Sequence, residues 1–214
     1  MTGHPATRDL YFIRHAPVHK AAGHVPPCNP PILEADYHLQ PVTAMLPRDA
    51  AWLVSPLQRA RQTADLLAPA LAPASRAELP ELSEMEFGDW AGRPVAEVWD
   101  EISTGPLHNW SFLTADTLPP GGESFTMLAN RVSAWMESLA FDTAPLVIIA
   151  HSGVMRAAMA HALAMPTDNA VGIPIAHFGV LHLRQMDPAR AMAAGGHWLF
   201  AGLTDPKAVP ASAS

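Results

Sequence analysis

The chain predicts an α/β fold of three layers, αβα, around a mostly parallel sheet with an antiparallel edge strand. Three observations carry that expectation. Short apolar runs of strand length alternate with amphipathic helical segments over 214 residues, the pattern of a parallel sheet with helices on both faces. One run, Leu146–Ala150 (Leu-Val-Ile-Ile-Ala), is apolar throughout, as a strand covered on both faces must be. Hydrophobic residues make up 49% of the chain, a globular composition.

The elements follow in order. Leu10–Ile13 is a first strand, and the chain breaks at Pro17. Residues 26–31, Pro-Pro-Cys-Asn-Pro-Pro, form a rigid loop. Trp52–Val54 is a second strand. Ala60, Ala64 and Leu67 then recur at helical spacing until Pro69, which is expected to end the helix. A weak strand lies near 77–79. Residues 90–120, rich in tryptophan and proline, read as an insertion placed to roof a site, with Trp90, Trp99 and Trp110 either lining a pocket or packing the insertion itself. Phe125, Leu128, Val132, Trp135 and Leu139 mark one face of a long helix after Gly121-Gly122-Glu123-Ser124. Leu146–Ala150 is the central strand. Val154, Ala158 and Ala162 mark a helix closed by Pro166, and Val180–Leu183 alternates as an edge strand does. One domain is expected over residues 8–204, with flexible tails at 1–7 and 205–214 that have little to bury.

Composition excludes several classes. A formal net charge of −7 argues against a general nucleic-acid partner, which needs a basic face. It also means that an anionic substrate must be held by a local positive pocket. Cys28 is the only cysteine, so no intramolecular disulfide and no cysteine-rich zinc site forms. Eleven histidines are present without a His-Glu-x-x-His cluster. The N-terminal residues lack the apolar core of a signal peptide, and no run approaches a membrane span. A cytoplasmic protein without membrane partners is expected, and the oligomeric state, monomer or homodimer, stays open.

Three strand runs end in polar clusters: Arg14-His15, then Ser55-Pro56-Leu57-Gln58-Arg59-Ala60-Arg61, then His151-Ser152-Gly153-Val154-Met155-Arg156. In a parallel sheet such ends share one edge, beside helix N-termini that offer free N–H groups to anions. Arginine is a permanent cation with a planar fork of donors suited to phosphate. Histidine serves as nucleophile or proton carrier near neutral pH. An acidic partner stands among Glu81, Glu84 and Glu86, close to Phe87 and Trp90. Arg61 points about 200° away from Arg59 on an α-helix and reads as solvated. A serine hydrolase is set aside, because Ala150-His151-Ser152-Gly153 is not a Gly-x-Ser-x-Gly elbow.

These segments resemble those of the histidine phosphatase superfamily, in its phosphoglycerate mutase-like branch, and are similar to its α-ribazole phosphatase-type members. Arg14-His15-Ala16 is similar to the family's Arg-His-Gly, and Ser55–Ala64 to its Ser-Pro-Leu-x-Arg-Ala-x-x-Thr-Ala. Leu82–Gly88 is similar to Leu-x-Glu-x-x-(aromatic)-Gly, and His151–Arg156 to His-Gly-Gly-Val-x-Arg. Gly122-Glu123-Ser124 also recurs in the family. The matches run in the family's order from residue 10 to about 184.

The resemblance implies a phosphoglycerate mutase-like fold and a role for each matched position. His15 would be the nucleophile, Arg14 and Arg59 the clamp on the phosphoryl oxygens, and His151 a hydrogen-bond donor to them. Glu84 would be the proton donor, then the base for water. It implies a metal-independent phosphomonoester hydrolase acting on a small phosphorylated metabolite. No cofactor is called for, since two arginines and two histidines supply the charge that a metal otherwise provides. The alternatives are a mutase-type phosphotransferase and a phosphate-ligand binding or regulatory protein. Glu123 belongs either to the site's surroundings or to its own helix N-terminus, and Arg156 either to the site or to an ion pair.

Four positions depart from the family pattern. Ala16 and Ser152 stand for glycine, Val18 for Ser or Thr, and Ala21 for an asparagine. Each lost donor at Val18 and Ala21 would cost about 1.5–3 kcal/mol of binding to a charged group, with His19, Lys20 and His24 as the available replacements.

Overall fold

Alternation builds the core. In the strand β1 (Thr7–Arg14), Leu10 and Phe12 are buried on one face and Ile13 on the other. In β4 (Leu146–Ala150), Leu146, Ile148 and Ala150 share the first face, while Val147 and Ile149 share the second. That is the two-residue period of a strand buried on both sides. The first face packs against α4 (Phe125–Ser138) and α5 (Ser152–Ala162), the second against α1 (Gln40–Thr43) and α2 (Gln58–Leu71). The three expected layers follow directly.

The computed structural model describes residues 6–190 and 195–206. The outer parts of the expected tails, 1–5 and 207–214, lie outside these. The remaining strands are β2 (Ala51–Val54), β3 (Ser75–Glu78), β5 (Val180–Met186) and β6 (Trp198–Thr204). The sheet has six strands in the order β3-β2-β4-β1-β5-β6. β3, β2, β4 and β1 are mutually parallel, and β5 runs antiparallel to both β1 and β6.

The antiparallel edge comprises two strands. β5 is covered by β6 (Trp-Leu-Phe-Ala-Gly-Leu-Thr), an apolar segment without clean alternation. Four of its seven residues are exposed and three are half-buried, as befits an outermost strand. Pro69 does not end α2. It sits inside the last turn, and the helix stops at Ala72, a residue with φ 46° whose N–H donates to the carbonyl of Ala68. Proline at that point leaves only one intrahelical bond unmade on a solvent-facing turn. α4 begins as expected, with Ser124 Oγ accepting from the Met127 N–H.

The insertion holds a short helix, α3 (Val95–Ile102), and a small core of its own: Val25, Trp90, Val98 and Leu113. Val25 comes from the loop after β1. Its N–H donates to the Arg93 carbonyl, and its carbonyl accepts from Gly92. The proline-rich loop and the insertion are therefore one packed unit over the sheet edge. α6 (Thr167–Val171) completes the α4–α5 side. No helix among the described residues is long and apolar enough to cross a membrane.

Candidate active site

The parallel register of β1 and β4 pairs Arg14 with Ala150. The next residues, His15 and His151, therefore emerge side by side, with ring centroids 5.1 Å apart. The His15 N–H donates to the Ala150 carbonyl at 3.0 Å and fixes this start. Arg59 arrives from the first turn of α2 and Glu84 from the loop after β3. Arg14, His15, Arg59 and Glu84 line one cavity of about 400 Å³. His151 lies behind them, fully buried.

His15 has a defined tautomer. Its Nδ1 lies 2.7 Å from the Ala16 carbonyl. A carbonyl only accepts, so Nδ1 carries the proton and Nε2 keeps its lone pair. Burial, and next the Arg59 charge, hold His15 well below the ordinary histidine value. The imidazole is thus neutral and nucleophilic at pH 7. Alanine is accommodated at position 16 because its backbone does not enter the left-handed region. The Ala16 N–H donates to Thr63 Oγ1 at 2.9 Å, and Thr63 donates to the Arg59 carbonyl at 2.7 Å. This explains the threonine of the Ser55–Ala64 segment: it ties the loop of His15 to the helix of Arg59.

The cations are incompletely satisfied. Arg14 donates to the Ile175 carbonyl at 2.5 Å, but its buried Nε has no partner among the described residues. Arg59 donates to the Cys28 carbonyl and to His151 Nδ1, at 3.1 and 3.2 Å. Arg156 also reaches the cavity wall while its Nε is held by the Ile173 carbonyl at 2.8 Å. Three guanidinium groups around one cavity make a local anion site in a chain of net charge −7.

Glu84 is held at the start of α5. Its Oε2 accepts from the Gly153 N–H at 3.3 Å and the Ser152 hydroxyl at 3.4 Å, and its Oε1 accepts from the Met85 N–H at 3.1 Å. Ser152, in place of glycine, thus gains a specific contact. Glu123 pairs with Arg131 through two bonds, at 3.2 and 2.8 Å. Arg131 also donates to the carbonyls of Glu81 and Ser83. Glu123 therefore acts through Arg131 to shape the segment that delivers Glu84. Arg61 is exposed, 3.9 Å from Glu78.

Downstream of His15 the replacements differ in placement. Lys20 and Val18 line the cavity, His19 borders a separate groove, and His24 bridges to Pro94. Ala91, Phe112 and Leu113 of the insertion line the cavity, together with Pro26 and Pro27 of the loop after His15. Sequence reasoning missed His177, whose ring lies 5.2 Å from that of His15 and whose Nδ1 donates to the His15 carbonyl at 2.9 Å. Burial, and next Arg14, push it down to about 4. The available signal was topological: an antiparallel β5 puts its start, not its end, at the edge that holds His15 and His151. No group of three or more metal-ligating side chains occurs among the described residues.

Comparison with known proteins supplies the family and the fold. The family described as the histidine phosphatase superfamily (branch 1) matches residues 10–193. The adenosylcobalamin/alpha-ribazole phosphatase of Salmonella typhimurium is 35% identical over 116 residues, covering 53% of this chain and 56% of that one. The Escherichia coli K12 protein of the same name is 29% identical over 119 residues, covering 54% and 57%. The matches thus span little more than half the length of these relatives. A mycobacterial glucosyl-3-phosphoglycerate phosphatase superposes with a TM-score of 0.69 at 20% identity, covering 91% of this chain and 97% of that one. A second mycobacterial structure, hydrolase 2, gives 0.70 at 23%, covering 92% and 90%. At such identities these structures establish the fold.

Two outcomes follow. A Cβ on residue 153 would collide with Glu84 Oε1, so Gly153→Ala should displace the carboxylate. With Glu84 as the proton donor that the family resemblance implies, turnover of a phosphomonoester with a poor leaving group should fall by about 10²–10⁴, with the melting temperature near that of the parent. The second concerns pH. His177 is near 4 when folded against 6.5 ordinarily, and His15 and His151 shift the same way. Between those values the unfolded chain binds more protons, so this stabilisation is complete above pH 6.5 and is lost as pH falls toward 4. Thermal melts should fall through that window, and His177→Asn should flatten the slope.

Proposed function

We propose that this chain, which belongs to the histidine phosphatase superfamily, hydrolyses small phosphorylated metabolites through a phosphohistidine at His15. The observation that carries the reading is the bare Nε2 of His15, left free by the Nδ1–Ala16 bond and facing a cavity walled by Arg14, Arg59 and Glu84. Arg14 and Arg59 draw in the phosphoryl oxygens by charge and by their free donors. Nε2 attacks phosphorus in line, and the P–O ester bond breaks. The leaving oxygen takes the proton of the Glu84 carboxyl group. Water then attacks phosphorus while Glu84 takes its proton, a new P–O bond forms as the P–N bond breaks, and phosphate leaves with His15 restored. The arginines and His151 stabilise the charge on the equatorial oxygens.

Relatives named for alpha-ribazole and glucosyl-3-phosphoglycerate phosphatase activity support a small metabolite as substrate. The unit formed by residues 17–31 and 90–120 shapes the leaving-group side in this reading, within one domain over 8–204. A cytoplasmic setting fits a chain with one exposed cysteine.

Hydrolysis of 4-nitrophenyl phosphate should vanish in His15→Ala and persist for the parent protein in the presence of a chelator. Full activity of His15→Ala contradicts the reading. A panel of phosphorylated metabolites should then yield a preferred substrate. Tight binding across the panel without turnover would support the regulatory alternative. A phosphohistidine lasting hours without acceptor would support the mutase.

A further inference from the structure

Both ring nitrogens of His151 are engaged, and the partners dictate where its proton sits. Arg59 Nε lies 3.2 Å from Nδ1. A guanidinium N–H only donates, so Nδ1 is a bare acceptor. The neutral ring then carries its proton on Nε2, which donates to Ser55 Oγ at 2.7 Å. Ser55 Oγ also accepts from the Leu57 N–H at 3.3 Å. Its two lone pairs are filled, and its own O–H has no acceptor among the described residues. Ser55 and His151 are both fully buried, so an unmade hydrogen bond there is costly.

This arrangement cannot donate to a phosphoryl group, because the only ring N–H points at Ser55. Nδ1 is the nitrogen beside Arg59, and Arg59 lines the cavity. A phosphoryl oxygen that captures the Arg59 Nε–H frees Nδ1 beside itself. We propose that Ser55 is a positioning residue that lets His151 exchange tautomers: Nε2–H while Arg59 occupies Nδ1, and Nδ1–H when a phosphoryl group takes Arg59 away. In the second form the Ser55 O–H turns to donate to Nε2 and keeps the Leu57 N–H on a lone pair. Every donor is then paired. One proton leaves Nε2 and one arrives at Nδ1 by exchange with water, so the net charge is unchanged. A hydroxyl suits this position because it both donates and accepts from one atom. The proposal rests on the phosphatase reading and adds to it a residue that does not touch substrate.

The test is nitrogen NMR of the full chain labelled with 15N-histidine, without and with orthovanadate as the phosphoryl mimic, with His151 assigned by loss of its signals in His151→Asn. The expected result is a bare Nδ1 and protonated Nε2 without vanadate, and the reverse with it. The same tautomer in both states, or both nitrogens protonated with vanadate, overturns the exchange. His15 signals report binding separately: if they do not respond, the phosphatase reading fails and the proposal with it. In Ser55→Ala the exchange should be lost and kcat should drop about tenfold, the worth of one hydrogen bond, with KM nearly unchanged. Ser55→Thr, which keeps the hydroxyl, should restore both. A Ser55→Ala protein that still exchanges tautomers overturns the role. The wild-type measurement decides alone if that variant does not fold.

Discussion

The register of β1 against β4 is the constraint from which the site follows. Five consecutive pairs, ending at Arg14 with Ala150, place the two histidines at the same level and one strand spacing apart. A slip of one residue would turn every β1 side chain to the opposite face. It would bury Arg14 against helices and put His15 out of reach of Arg59. The alternation of Leu10, Phe12 and Ile13 between two cores makes that slip prohibitive, because three large side chains would lose their packing at once. The chemistry at the edge thus draws its precision from apolar packing beneath it.

Upon this frame the charges are set against each other. Arg14, Arg59 and Arg156 lie at one cavity. Burial first, and then the charges of Arg59 and Arg14, hold His15 below the ordinary histidine value, and burial and Arg14 do the same to His177, so the imidazoles stay neutral while the guanidinium groups stay charged. Neutral histidine beside fixed cations is the state a nucleophile needs when its target is an anion. Glu84 is the counterweight, held by the first turn of α5 and by the segment that Arg131 and Glu123 fasten. Glu84, His15, Arg14 and Arg59 are each tied to backbone atoms of another element. Their spacing is therefore a property of the whole edge rather than of any one loop.

Much of this was legible in the residues, for reasons that differ by element. β4 could be read to the residue because a strand buried on both faces has no other composition. The strand-end clusters could be read because parallel strands send their ends to one edge. β6 was missed because an outermost strand with irregular alternation looks like a loop. The Pro69 boundary was misread because a proline late in a helix costs only one bond at a solvated turn. His177 escaped because the expected antiparallel edge strand was not followed to its start, which lies at the same sheet edge as the ends of the parallel strands. The joining of the proline-rich loop to the insertion through Val25 and Trp90 likewise depends on packing between segments some 65 residues apart. Ala16, Val18 and Ser152 divide similarly: the first is neutral to the backbone, the second faces the cavity without a donor, and the third gains a bond to Glu84.

The central claim is that His15 Nε2 becomes covalently phosphorylated during turnover. Rapid mixing with substrate, an alkaline quench and mass spectrometry of the digested protein tests it directly. The account predicts one phosphoryl group on the peptide containing His15, attached at Nε2, stable to alkali and labile to acid, formed and lost at rates at least equal to turnover. Turnover with His15 never phosphorylated, or with the group on another residue, would contradict it.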